Sequence, residues 1–157
     1  MSDTELRRTI EINAPAHAVF SALTDSKELT EWWPDIGTFE PRVGGKFHFT
    51  FLAERLKKMG DKEMGDRDHK LDGEVLELVP NKKLVYTFIP DADYRPDGIG
   101  AKPTIVTWSL EEIGKNKTKV TLVHTGFTKD MDRHFQDVTA GWNYFVGRLV
   151  EYCRSKK

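Results

Sequence analysis

Polar and apolar residues alternate through most of the chain, and near its end they settle into a helical rhythm. A period of two marks strands, and recurrence at three and four marks helices. The first alternating stretch, Arg7 to Ile12, reads as a short strand. Asn13-Ala14-Pro15 follows. Proline suits a first helical turn, because its missing N–H needs no partner there. The helix so predicted runs to about Leu23, with Val19, Phe20 and Leu23 on one face. Asp25 with Glu28 three residues later matches a capping box with Asp as the cap. It opens a second short helix carrying Leu29, Trp32 and Trp33. Pro34 ends that helix, since the residue before a proline avoids the α region.

The middle of the chain reads as β. Thr38 to Arg42 is a short strand, and Gly44-Gly45 is a hairpin signal. Phe47, Phe49 and Phe51 then alternate with Lys46, His48 and Thr50, which puts three phenylalanines on one face. Leu71 to Val79 is a strand whose apolar set changes register near Val75-Leu76, as a bulge would produce. Pro80-Asn81-Lys82 turns the chain into Leu84 to Ile89, and Pro90 to Pro103 reads as a loop. Val106, Trp108 and Leu110 share a face of the next strand. Past a turn at Gly114 to Asn116, Val120, Leu122 and His124 share a face of another. Phe135, Val138, Trp142, Phe145, Leu149 and Tyr152 then form one stripe of a long terminal helix. Strands joined by short turns predict an antiparallel meander, with the long helix available to cover its apolar face.

One segment breaks the pattern. Glu54 to Asp72 is crowded with charges of both signs and reads as a solvated loop or hairpin excursion. The alternative is a metal or partner site. Asp66, Asp68, His69 and Asp72 lie close in sequence, but they match no recognised ligand spacing.

Length and charge narrow the field. A chain of 157 residues fits a single domain, 1–157, large enough to bury one core. With 24 basic against 25 acidic residues, it lacks the positive excess that nucleic acid or an anionic membrane surface demands. Its one cysteine, Cys153, excludes an internal disulfide and fits a cytoplasmic location. No signal peptide and no bilayer-length apolar run is visible. No cofactor motif is present: Gly44-Gly45 is not followed by the Lys-Ser/Thr pair of a phosphate loop. The serines Ser21, Ser26 and Ser109 lack a nucleophile-elbow frame, so no catalytic residue is assigned.

Two groups of residues are candidates for function. Trp32, Trp33, Phe47, Phe49, Phe51, Trp108, Trp142 and Phe145 either line an apolar pocket or simply fill the core. His124 has the parity of Val120 and Leu122, so it faces inward. There it either orients a ligand or moves a proton, or it is a hydrogen-bonded core histidine. His48 alternates outward, His69 falls in the charged segment, His17 on the first helix, and His134 near the start of the last.

Several ordered pieces together resemble one family. They are Glu31-Trp32-Trp33-Pro34, Val43-Gly44-Gly45-Lys46-Phe47, Gly73-Glu74-Val75 through Pro80, Leu84-Val85-Tyr86, Thr118 to Leu122 with His124-Thr125-Gly126-Phe127, and Ala140-Gly141-Trp142. From about Arg7 to Tyr152 the chain is similar to the activator of heat-shock-protein-90 ATPase homologue-like family, within the START-like (SRPBCC) helix-grip superfamily. The resemblance implies an α+β fold. In it a curved antiparallel sheet of six to seven strands is wrapped around the long C-terminal helix, and two short helices follow strand one. It also implies an elongated cavity between sheet and helix. Trp33, Phe47, Phe49, Trp108, His124, Trp142 and Phe145 are then the expected lining for a small hydrophobic or aromatic ligand. A cyclase or hydrolase using the same cavity is one alternative. A chaperone ATPase co-regulator or stress-response interaction module, with a chaperone partner, is the other. The expected assembly is a monomer or a homodimer, and no cofactor and no metal are expected.

Overall fold

The structure, a computed structural model, describes residues 4–58, 68–90, 103–128 and 131–156. Strand β1 (Thr4–Ile12) leads into two short helices, α1 (Ala16–Thr24) and α2 (Ser26–Trp32). Strands β2 (Ile36–Phe39) and β3 (Lys46–Phe51) form a hairpin, followed by a short helix α3 (Ala53–Lys58). Strands β4 (His69–Val79), β5 (Lys83–Pro90), β6 (Thr104–Gly114) and β7 (Lys117–Phe127) complete the sheet. Helix α4 (Asp132–Ser155) ends the chain. No helix among the described residues is long and apolar enough to cross a membrane.

All pairings are antiparallel, in the order β1-β7-β6-β5-β4-β3-β2. The expectation of a curved sheet wrapped around the helix is therefore corrected. The sheet is open: β1 and β2 are its two edges, and no pairing joins them among the described residues. Helix α4 shows why. It buries one stripe, Val138, Trp142, Phe145, Val146, Leu149 and Cys153. Its opposite side, including Asn143, Tyr144, Gly147, Glu151 and Arg154, is exposed. A helix enclosed by a sheet would be apolar all round, whereas this one has a single buried face and lies across the sheet.

Local chemistry accounts for the element boundaries. Pro15 sits at the cap of α1, one position outside the first turn, with extended φ −70° and ψ 157°. Asp25 serves two helices at once. Its backbone N–H donates to Ser21 O at the end of α1, and its carboxylate accepts from Glu28 N–H at 3.1 Å at the start of α2. Trp33 closes α2 directly before Pro34. The strand expected at Thr38 to Arg42 lies earlier, at Ile36–Phe39. Arg42 and the two glycines belong instead to a turn in which Gly44 takes φ +84°. That turn docks on β4: Gly44 N–H donates to Val75 O at 2.9 Å, and Val75 N–H to Gly45 O at 2.8 Å. The ladder to β5 shifts register between Val75 and Glu77, which is the bulge that the apolar pattern implied.

The charged segment is less loop-like than expected. Residues 53–58 are helical, and His69 to Asp72 already belong to β4. The remainder, 59–67, and most of the loop expected at Pro90 to Pro103, 91–102, lie outside the described residues.

The core occupies the sheet face under α1, α2 and α4. Phe47, Phe49, Trp108, Leu84, Tyr86, Val106, Val120 and Leu122 are almost fully buried there, as their strand parity requires. Phe51 ends the phenylalanine row half-buried.

Candidate functional site

The inner layer is a connected set of rings with Trp33 at its centre. Placed at the end of α2 by the Pro34 stop, Trp33 stacks on Trp32 at 5.5 Å and meets Phe49 and Trp142 at 5.0 Å each. Phe47 lies 4.7 Å from Phe49 and 5.0 Å from Tyr86. Trp108 meets Trp142 edge-on at 5.6 Å. Phe145 joins the layer through Phe51 at 5.8 Å, and Phe51 in turn lies 6.5 Å from Trp33. Offset and edge-to-face contacts at these separations are the favoured arrangements of aromatic quadrupoles. All seven expected lining residues are buried in this layer.

His124 is inward, as its parity predicted, and fully buried. Trp142 Nε1–H, on α4, donates to its Nδ1 at 2.9 Å. Because an indole only donates, Nδ1 must be an acceptor, and the proton of a neutral ring then sits on Nε2. Nε2 lies 2.7 Å from Thr104 Oγ1. The chain of bonds thus runs from Trp142 through His124 to Thr104, with Phe88 and Phe127 each packed on the imidazole at 4.6 Å. Both ring nitrogens are engaged within the protein.

A second inner polar pair lies across the layer. Trp108 Nε1–H donates to Tyr86 Oη at 2.9 Å. Burial raises the Tyr86 phenol far above its ordinary value, more than the hydrogen bond from Trp108 lowers it, so it stays neutral. Tyr86 shares the parity of Leu84, the one signal by which the sequence could have placed it inside.

At the margin of the layer stands a group that sequence reasoning missed. Arg55, from α3, donates Nη1 to Asp35 Oδ1 at 2.8 Å and lies over the Phe145 ring at 5.7 Å. Asp35 is held in turn: Oδ2 accepts Leu52 N–H at 2.8 Å, and its own N–H donates to Thr50 O at 3.1 Å. Nothing in a mixed-charge stretch distinguishes Arg55 from its charged neighbours.

The other histidines divide. His48 is exposed, as expected, and pairs with Asp72 at 2.9 Å. His17 is exposed. His69 is buried in β4 rather than lying in a solvated loop. Of the weak metal cluster, Asp66 lies outside the described residues, as does the His134 side chain. Among the described residues no group of three or more His, Cys, Asp or Glu is placed to hold a metal.

Known proteins give these features a family. The model of the activator of Hsp90 ATPase homolog 1-like proteins matches residues 13–154. No curated protein matches the chain. A crystal structure of a Mesorhizobium loti protein superposes with TM-score 0.75 at 25% identity, covering 98% of this chain and 100% of that one. A Chromobacterium violaceum protein gives 0.74 at 22% identity, covering 97% and 98%. The solution structure of the Aha1 dimer from Colwellia psychrerythraea gives 0.72 at 21% identity, covering 98% of each chain. With most of its length matched by the family model and its whole fold shared with such structures, this chain belongs to the activator of Hsp90 ATPase homolog 1-like family, in the START-like helix-grip group.

Proposed function

We propose that the chain is an interaction module that co-regulates a chaperone ATPase of the heat-shock-protein-90 type. Membership of the family supports this reading. The observation that carries it is internal: His124, the polar group best placed for chemistry between sheet and helix, spends both nitrogens on Thr104 and Trp142. On this reading the chain works through its outer faces rather than through His124. The same bonds weigh against the cyclase or hydrolase alternative, because a proton shuttle needs a nitrogen within reach of substrate. Homodimer formation is part of the proposal, in line with the Colwellia relative described as a dimer. The test is steady-state ATPase turnover of the purified host chaperone with increasing amounts of the chain, alongside co-elution of the two. A saturable change in turnover is expected. Unchanged turnover together with no co-elution would retire the reading.

A second reading has its own support. The aromatic layer continues from buried Trp33 and Trp142 to half-buried Phe51 and Phe88, so its rings reach toward solvent. On this reading a small hydrophobic or aromatic molecule lies between sheet and α4, against Trp33, Phe47, Phe49, Trp108, His124, Trp142 and Phe145. Native mass spectrometry of the protein purified from its host checks it. A bound small molecule removed by organic extraction is expected, and a bare mass under gentle conditions counts against it.

A further inference from the structure

We propose that Arg55 anchors the carboxylate of a ligand whose flat apolar body packs on the Phe51 and Phe145 rings. This goes beyond the co-regulator reading and rests on the second, ligand-binding one, to which it gives a chemical class: an aromatic carboxylate. The argument begins with donors. A guanidinium carries five N–H groups in a rigid fork, always charged and never acceptors. The Nη1 arm of Arg55 is spent on Asp35. Its Nη2 is buried and has no hydrogen-bond acceptor among the described residues. A buried cationic donor without an acceptor is costly, and native structures seldom keep one without a use.

The surroundings select the acceptor. Asp35 is the acid paired with Arg55 among the described residues, and each of its oxygens already accepts a hydrogen bond. Oδ1 takes Nη1, and Oδ2 takes the Leu52 N–H. The pair is therefore one-armed rather than a two-armed fork, and the free arm is held in a fixed direction by Asp35 and by the ring beneath it. A carboxylate fits that arm with a charge-assisted bond. Aromatic surface adjoins it: Phe145 lies 5.8 Å from half-buried Phe51 and 5.1 Å from exposed Tyr144. A second cation borders the same rings, since Arg148 lies over Tyr144 at 6.0 Å. Cations on two neighbouring rings favour an anion with an apolar body over a neutral apolar molecule.

The probes are 2-naphthoate and its neutral counterpart 2-naphthamide, titrated into the full chain by calorimetry at neutral pH. The acid is expected to bind about tenfold or more tightly than the amide, the range of one charge-assisted bond. Arg55→Gln and Arg55→Lys should each narrow that ratio toward one, while Arg42→Gln, at an exposed turn, keeps it. If Arg55→Gln fails to fold, Arg55→Lys and the wild-type ratio decide. Equal affinity of wild type for acid and amide would sink the anchor and leave the apolar reading standing. A ratio retained in both Arg55 variants would place the carboxylate elsewhere and overturn the proposal. Binding of neither probe would overturn it as well.

Discussion

Single side chains in this protein are tied by bonds that offer no substitute. The clearest is Trp142 to His124, where a donor-only indole meets the one nitrogen able to accept. Trp142→Phe keeps most of the ring and deletes the donor, leaving the buried Nδ1 without its hydrogen bond. The expected loss is about 1–3 kcal/mol in urea unfolding. A change within error would mean that the bond carries no weight. Gly73 is constrained by space instead. A Cβ there would stand 2.1 Å from Thr87 O and 2.2 Å from the Phe47 ring, so Gly73→Ala must push backbone or ring aside. Equilibrium denaturation should register roughly 1–3 kcal/mol of destabilisation. Alternation along β7 was enough to turn His124 inward. It could not name the partners, since Thr104 and Trp142 lie 20 and 18 positions away. Their meeting depends on strand register and on how the long helix is set down, which side-chain parity leaves open. Arg55 was illegible for another reason: its role depends on Asp35 and Phe145, both distant in sequence.

Among the elements, the two short helices and the end of α4 form a clamp around Glu28. Its carboxylate accepts from Ser21 Oγ and from Tyr152 Oη, the latter at 2.9 Å, and pairs with Lys156. Lys156 also donates to Ala18 O at 2.8 Å, which fastens α4 to α1. Burial raises the Glu28 carboxyl, but the bonds from Lys156, Ser21 and Tyr152 together outweigh it and hold the group below its ordinary 4.5. The unfolded chain therefore takes up this proton at higher pH than the folded one. The clamp's contribution is complete above 4.5 and is lost as pH falls through the lower folded value. Glu28→Gln should melt at lower temperature than wild type at neutral pH, with the gap closing in acid. A gap that is constant with pH would contradict this account. Cys153, on the same turn of α4, is buried, and burial pushes its thiol up to about 11. Native protein should resist alkylation at neutral pH and react fully in denaturant, as mass spectrometry would show. Rapid native labelling would mean that the helix end frays. The Asp25 cap and the β4 bulge were readable because each is a local contest between backbone geometry and neighbouring residues. The displaced β2 was not, because docking of the Gly44-Gly45 turn on Val75 decides where that strand ends.

The whole molecule depends on Trp33, which joins α2, β3, β5 and α4 through its ring contacts. Trp33→Ala is expected to cost about 3–5 kcal/mol. Tryptophan fluorescence and far-ultraviolet circular dichroism should still give coincident, single transitions. Separated transitions would show sheet and helix unfolding independently. Strand order was largely readable, since short turns force neighbours to pair. Openness was not, because alternation is the same in a sheet that closes and in one that stops at two edges. That layout has a consequence during synthesis. β1 finds its neighbour only in β7, with Leu6 opposite His124, about 120 positions further on; at ~5–20 residues per second the nascent segment waits on the order of ten seconds with its inward side uncovered. The ribosome thus releases the first strand long before its mate exists, and the apolar side chains of Leu6 and Ile12 stay uncovered until β7 emerges.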